Sequence, residues 1–262
     1  MPVDIPLIPL EQFQTFLVVT CRVAGFIAAI PVLAAAQTPV RVKTGLVFAT
    51  SLVLFPIMGE AVPKVSFSPL PFAMLIVSEL LVGLLLGLVS RLIFTAVEFG
   101  ATVVGFQMGF AAANVFDPQS ERQVALVSQF QNVFAILIFL AINGHHLFLQ
   151  TAVMSYDFLP PGQLDLSGEA IPYLMRLTSH MFAIGVQFSA PVLAVLLLSG
   201  LILGILARVF PQLNVFLLSF PLNIGVGFIV IALTLSLAST LMRREFDSLA
   251  ERFITLLNYL AP

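Results

Sequence analysis

Four charged side chains stand inside stretches of sequence that are otherwise apolar. Arg22 lies in the first apolar run, and Glu79, Arg91 and Glu98 fall on one predicted helix or its extension. A charged side chain at membrane depth is costly, so by default it faces the protein interior or water. These intramembrane charges could line an ion path, or they could be structural pairs between helices or residues near the membrane interface.

The sequence Asn143-Gly144-His145-His146 places two imidazoles side by side. Adjacent residues on a helix point about 100° apart, so these rings do not converge on one metal ion. His180 is distant in sequence, and no acidic or cysteine ligand accompanies the pair. We therefore expect a helix-end or interface role for the two histidines, with no metal ion and no cofactor bound.

Motifs of known enzyme classes are missing from the sequence. It contains no Gly-x-Ser-x-Gly, no His-Glu-x-x-His and no glycine-rich phosphate loop with a lysine. We therefore expect a protein that is not an enzyme. An intramembrane enzyme would have to depend on His145 or His146.

A polar, turn-forming stretch interrupts the apolar block between Phe99 and Ile142. It reads Asn114-Val115-Phe116-Asp117-Pro118-Gln119-Ser120-Glu121-Arg122. Lipid offers no partner to exposed backbone, so a broken segment at membrane depth packs against protein or lines a water-filled space. This stretch is therefore the first place to expect a pore or a gate.

The residues just before that break are small and apolar. Gly105 and Gly109 have the small-x-x-x-small spacing that lets helices approach closely. Met108, Phe110 and Phe116 would supply a soft apolar plug, because methionine adapts to irregular surfaces. The alternative is an ordinary packed hairpin. Gly200 and Gly204 repeat the same spacing later in the chain.

A second broken region runs from Pro211 to Phe216 and continues into Phe220-Pro221-Leu222-Asn223. Buried amides need hydrogen-bond partners, so Asn214 and Asn223 must find them. The simplest interpretation is a hairpin turn between the last two long helices.

Composition places these features in a membrane. The chain has 262 residues, of which 60% are hydrophobic and 9% are charged. Soluble domains carry about 25% charged residues, so this sequence predicts an all-α integral membrane protein, with broken helices and hairpins. The net charge of −2 gives no indication of a nucleic-acid partner.

Seven apolar segments can be marked, but two of them are too short to span a bilayer comfortably. The connectors include Gln37–Thr44, which contains Arg41 and Lys43, and Asp157–Glu169, which is the most loop-like. Beyond Arg243, apolar residues recur at helical spacing and predict an amphipathic helix that lies at the interface or docks on a partner. The seven segments are Leu10–Ala36, Gly45–Met58, Leu70–Phe94, Phe99–Val115, Val124–Leu149, Met181–Ala207 and Leu213–Met242.

Several motifs in fixed order give the chain a family resemblance. It resembles the FliR family, the flagellar members of an export-gate family shared with type III secretion injectisomes. The motifs run over nearly the whole chain, which makes them far more specific together than singly. They are Pro39–Leu46, Gly105-Phe106-Gln107-Met108-Gly109-Phe110 leading to Asp117-Pro118, Phe139–His145, Ala207-Arg208-Val209-Phe210-Pro211-Gln212-Leu213-Asn214-Val215-Phe216 and Phe220-Pro221-Leu222.

The resemblance implies a subunit of a closed, helical export gate in the bacterial inner membrane, at the flagellar basal body. Its implied partners are FliP and FliQ, with FlhB and FlhA, together with membrane lipid and the unfolded flagellar proteins in transit. It also implies a FliP-like part over about residues 1–180 and a FliQ-like helical hairpin over about residues 181–262. The resemblance also implies that the helices wind into a cone and need not be simple spans.

The resemblance also assigns roles to particular residues. A plug after the Gln-Met-Gly motif would correspond to about Met108–Arg122, and the tip of the hairpin would make subunit contacts. The plug residues would be Gln107, Met108, Gly109, Phe110, Asn114, Phe116, Asp117 and Pro118, and the tip residues Arg208, Pro211, Gln212, Asn214, Phe216 and Pro221. The competing hypothesis is an ion-coupled small-molecule transporter that uses Glu79, Arg91 and Glu98 as coupling charges.

Overall fold

The protein is helical throughout the part of the chain that the computed structural model describes, which is residues 10–30, 38–58, 69–110, 125–212 and 214–262. No strand occurs among these residues, which confirms the all-α prediction. The helices are α1 Leu10–Ala29, α2 Val40–Met58, α3 Pro69–Gln107, α4 Ala125–Ala141, α5 Gly144–Phe158, α6 Ala170–Val209, α7 Val215–Asp247 and α8 Leu249–Leu260.

Four stretches of the described chain are long and apolar enough to cross a membrane: α1, α3, α6 and the combined run of α7 and α8. A fifth span is added if α4 and α5 count as one broken span. The 39 residues of α3 correspond to about 58 Å of helix, whereas the hydrocarbon core of a bilayer is about 30 Å thick. An upright helix of this length therefore extends well beyond the hydrocarbon layer.

The sequence-based division of Leu70–Phe94 from Phe99–Val115 is wrong, because α3 continues from the first segment into the second, as far as Gln107, without a break. The polar Glu98 does not interrupt the helix, since its side chain is exposed. Gly100 lies against a second helix, where a Cβ atom would stand 2.5 Å from the carbonyl oxygen of Gly185. The glycine there serves close helix packing and does not mark a helix end.

Two other boundaries also differ from the prediction. The basic connector is wrong at its end, because α2 begins at Val40 and Thr44 is already helical, donating from its hydroxyl to the carbonyl of Val40 at 3.0 Å. Helix α6 begins at Ala170, well before Met181. The break near Asn143 is confirmed: α4 ends before it, and Asn143 has a left-handed φ of 57°.

The chain divides into two compact units. Unit 1 contains the described residues up to Arg91, together with His145–Arg176 and Ser248–Pro262. Helices α1 and α3 approach closely within it, because a Cβ atom at Gly83 would stand 2.2 Å from the carbonyl oxygen of Arg22.

The predicted amphipathic helix near the C-terminal end is α8, and its apolar face is buried in unit 1 of its own chain. Phe253 is 1% exposed and packs edge-on against the rings of Phe26 and Phe148. The N–H of Asp165 also donates to the carbonyl of Leu260 at 2.9 Å. The expectation that this face meets the membrane interface or another protein is therefore wrong.

Unit 2 contains Leu92–Gly144 and Leu177–Asp247. Three aromatic rings, those of Phe94, Phe139 and Phe246, pack on one another with centroids between 5.2 and 5.7 Å apart. A separate apolar cluster surrounds the end of α3. Its buried members are Val104, Met108, Val127, Val192, Leu196 and Ile231.

Candidate functional sites

A buried ion pair joins α1 to α3 in unit 1. Arg22 Nε donates to Glu79 Oε2 at 2.7 Å, and the two side chains are 2% and 1% exposed. A pair this deeply buried is tolerated only when further hydrogen bonds satisfy the remaining donors and acceptors. The structure therefore brings together two of the four charges singled out in the sequence.

The remaining donors of Arg22 bind the end of α5. Nη1 donates to the carbonyl of Ser155 at 3.0 Å, and Nη2 donates to the carbonyl of Leu159 at 3.0 Å. Cζ stands 4.1 Å from the centroid of the Tyr156 ring, a cation–π contact. The guanidinium thus binds two carbonyls at the end of α5, of which that of Ser155 also accepts from the N–H of Leu159 at 3.0 Å.

Glu79 is held from its other side as well. The N–H of Gly162 donates to Glu79 Oε1 at 3.2 Å. Gly162 has a φ of 83°, a left-handed conformation that suits glycine in the turn after α5. Arg22 and Glu79 together therefore fix α1, α3 and the turn after α5 to one another. Sequence reasoning missed Ser155, Tyr156 and Gly162, because no local pattern marks a partner more than 80 residues away.

Arg91 and Glu98 differ from Glu79, because both side chains are exposed on α3. His145 and His146 are also exposed, in the first turn of α5, with ring centroids 4.3 Å apart. Within the described ranges, no three potential metal ligands cluster together.

The Gln-Met-Gly motif lies at the end of α3 in unit 2. Gln107 is exposed, whereas Met108 is 0% exposed at the centre of the apolar cluster. A Cβ atom on Gly227 of α7 would stand 2.7 Å from Cγ of Met108 and 2.8 Å from its sulfur. The methionine side chain therefore rests directly on bare helix backbone.

Gly109 follows with a φ of 96°, a conformation that costs any residue with a side chain. A Cβ atom there would stand 2.9 Å from Cδ1 of Phe220. Phe110, which is partly buried, packs against the same cluster. The first residues of the predicted plug, Met108 and Gly109, thus pack against α7. The other predicted plug residues Asn114, Phe116, Asp117 and Pro118 lie outside the described residues.

The predicted hairpin turn joins α6 to α7 in unit 2. The side chains at its tip are exposed, and the exposed group comprises Arg208, Pro211, Gln212, Asn214, Phe216 and Pro221. Gly200 and Gly204 also have open space where a Cβ would stand.

Both asparagines of this hairpin have partners. Asn214 Oδ1 accepts from the N–H of Leu217 at 3.2 Å and so caps the start of α7. Asn223 Oδ1 accepts from the hydroxyl of Ser199 at 2.9 Å, which links α7 to α6.

Long apolar helices, a buried charge network and irregular turns between helices define this chain as an α-helical membrane protein with several spans. A family model described as bacterial export proteins, family 1, matches residues 13–249. The chain therefore belongs to this family of bacterial export proteins.

Three relatives carry the name flagellar biosynthetic protein FliR. The Bacillus subtilis (strain 168) protein is 34% identical over 251 residues, covering 95% of this chain and 96% of that protein. The Escherichia coli (strain K12) protein is 31% identical, covering 87% of each chain. The Pectobacterium carotovorum protein is 32% identical, covering 88% of this chain and 89% of that one.

Proposed function

We propose that this chain is a non-enzymatic subunit of the flagellar type III export gate, in the inner membrane at the flagellar basal body. There it would form part of the closed pore through which unfolded flagellar proteins leave the cytoplasm. The observation that carries this proposal is the likeness to FliR proteins over nearly the full length of both chains.

In the proposed gate, the segment Gly105–Arg122 holds the pore shut by apolar packing. The buried side chain of Met108 fixes the beginning of this segment. A turn at Gly109 follows, and in the sequence the polar residues begin at Asn114. Arrival of substrate would shift the population from the closed to the open state. The energy for transport comes from other components, since the sequence has no nucleotide-binding motif.

The proposed partners are FliP and FliQ, with FlhB and FlhA, and the hairpin at about residues 181–262 is the FliQ-like part. Exposed apolar side chains along α6 and α7 support this assignment, because they need lipid or other subunits to cover them. Leu201 is 62% exposed, Leu217 69% and Leu233 77%.

The transporter hypothesis receives less support. A coupling carboxylate must exchange protons or ions with a water-filled path. Glu79 is instead 1% exposed, with Arg22 on one oxygen and the Gly162 N–H on the other. Arg91 and Glu98 are exposed on α3.

The export role is tested by expressing the chain in a flagellated host that lacks its own FliR. We expect restored secretion of hook protein, and we expect FliP and FliQ to co-purify with the chain. Glu79→Gln is the variant that separates the two hypotheses in liposomes. Substrate uptake by the purified chain alone, lost in this variant, would support the transporter instead.

The plug is tested in the same host by deleting Ala111–Asn114 and by Gly109→Ala. Resting cells should then leak small ions, because the closed state loses its seal. Gly225→Ala is the control, since a Cβ there meets nothing within 4 Å. Unchanged leak and unchanged export in the two test variants would contradict the plug.

A further inference from the structure

One face of α7 contacts the end of α3 at two positions. Met108 rests on Gly227, and Gly109 lies against Phe220. Positions 220 and 227 are seven residues apart, which places them on the same side of a helix about two turns from each other. Gly225 lies on a different side of the helix, and a Cβ atom there would meet nothing within 4 Å.

The close contact at Gly227 is possible because glycine has no side chain. A Cβ atom there would approach three atoms of Met108, namely Cγ at 2.7 Å and Sδ and Cε at 2.8 Å. Non-bonded carbon atoms prefer separations of about 3.5–4.0 Å. A residue larger than glycine at this position therefore requires the Met108 side chain or the helix to shift.

The chemistry of this contact allows it to break and form again. No hydrogen bond or charge is part of it, and the thioether is flexible and polarisable. The surrounding cluster is aliphatic, including Val104, Ile224 and Ile231. Separation of these surfaces leaves no buried charge or unpaired polar group behind.

We propose that Gly227 is a positioning residue for the gate, acting through Met108. In the closed state α7 holds Met108 in place. In the open state α7 and the end of α3 separate at this contact. The inference rests on the proposed function of Gly105–Arg122 as a plug.

A reversible cross-link tests whether the contact must open. The chain carries one cysteine, Cys21, so the background is Cys21→Ser and the test variant adds Met108→Cys and Gly227→Cys. The sulfur of a cysteine at position 108 would take roughly the place of Cγ of Met108, which stands 2.7 Å from the Cβ position of residue 227. The two cysteines are therefore close enough to approach the geometry of a disulfide, whose Cβ atoms are about 3.8 Å apart. We therefore expect the cross-link to form when cells are treated with copper phenanthroline.

The expected result is that oxidation stops flagellar export and dithiothreitol restores it. The proposal would be overturned if the cross-link forms and export continues at the rate measured before oxidation. Failure of the cross-link to form would also overturn it. Failure of the proposed function gives a different result, because the Cys21→Ser chain would then support no export under any condition.

A second variant covers the case in which the cysteine pair exports poorly even when reduced. Gly227→Ala should raise resting ion leak about tenfold, since overpacking raises the free energy of the closed contact but not of the separated one. Gly225→Ala should leave the leak unchanged. The amount of chain in the membrane is measured in both, so that a folding defect is recognised. Equal leak in the two variants at equal chain levels would overturn the proposal.

Discussion

Arg22 in unit 1 and Met108 in unit 2 are almost completely buried, yet they are held in opposite ways. Directed hydrogen bonds from a guanidinium fix Arg22 to a carboxylate and to two carbonyls. The side chain of Met108 is held by shape and dispersion, against Gly227 and an apolar cluster. A contact of the first kind is costly to open, whereas one of the second kind tolerates rearrangement.

The difference indicates which part of the chain is rigid. Separating Arg22 from Glu79 would leave two buried charges without their oppositely charged partners, a cost of several kcal/mol. Separating Met108 from Gly227 exposes apolar surface, which lipid or another apolar side chain can cover. We therefore expect the Arg22 network to persist through transport.

Removing one charge of the pair should have the largest effect. We expect Arg22→Met to lower the free energy of unfolding by about 3–5 kcal/mol, because Glu79 is left buried without its partner. Thermal denaturation of the purified chain in detergent measures the change. The double variant Arg22→Met/Glu79→Gln should recover part of the loss. A single variant as stable as the parent would show that the pair contributes nothing to rigidity.

The second-largest effect should come from adding a side chain where α1 and α3 cross. Gly83→Ala should cost about 1–3 kcal/mol, because its Cβ would meet backbone atoms of Arg22 and Phe26, which cannot rotate away. Gly45→Ala is the matched control in unit 1, since a Cβ there meets nothing within 4 Å. Denaturation midpoints that fall equally in both variants would contradict this packing.

Conservative substitutions compare the two buried contacts directly. We expect Met108→Leu to change the free energy of unfolding by less than about 1.5 kcal/mol, because volume is nearly preserved. Arg22→Lys should cost more, since an ammonium cannot reproduce the geometry of the guanidinium. If the two substitutions prove equally costly in the same denaturation assay, the distinction between a rigid and an adaptable contact fails.

The smallest effect should come from the exposed turn before α6. The hydroxyl and N–H of Ser167 both donate to Asp165 Oδ1, which holds the pKa of that carboxyl below its usual value. A lowered pKa stabilises the folded state above the ordinary carboxyl pKa, and this is lost as the pH falls through the lowered value. Ser167→Ala should raise the pKa of Asp165, measured by carbon NMR, with no change in export. An unchanged pKa would exclude the Ser167 hydroxyl as its cause.

Much of the fold follows from local sequence patterns. Apolar runs long enough for helices, the Asn143-Gly144 break and the helical spacing beyond Arg243 all carry signals within a few residues. Glycines misled the interpretation where they serve tertiary contacts. The sequence analysis marks Phe99–Val115, which begins beside Gly100, as a segment of its own, but in the structure Gly100 lies within α3 and allows it to meet Gly185.

The partners of the candidate sites could not be predicted, because they are distant along the chain. Glu79 is 57 residues from Arg22, and Ser155 is 133 residues from it. Gly227 lies far beyond Met108 and has no local feature that distinguishes it from Gly225. Only the three-dimensional arrangement shows that a Cβ at one position would collide with Met108 and that a Cβ at the other would not.

Helix α8 completes a unit whose other parts are synthesised much earlier. Phe26 is synthesised before Phe148, and both are synthesised before Phe253, the ring on which they pack. The apolar surface that these residues share stays uncovered until the ribosome has added the residues up to Leu260. A chain cut short before Phe253 would leave the rings of Phe26 and Phe148 without this partner.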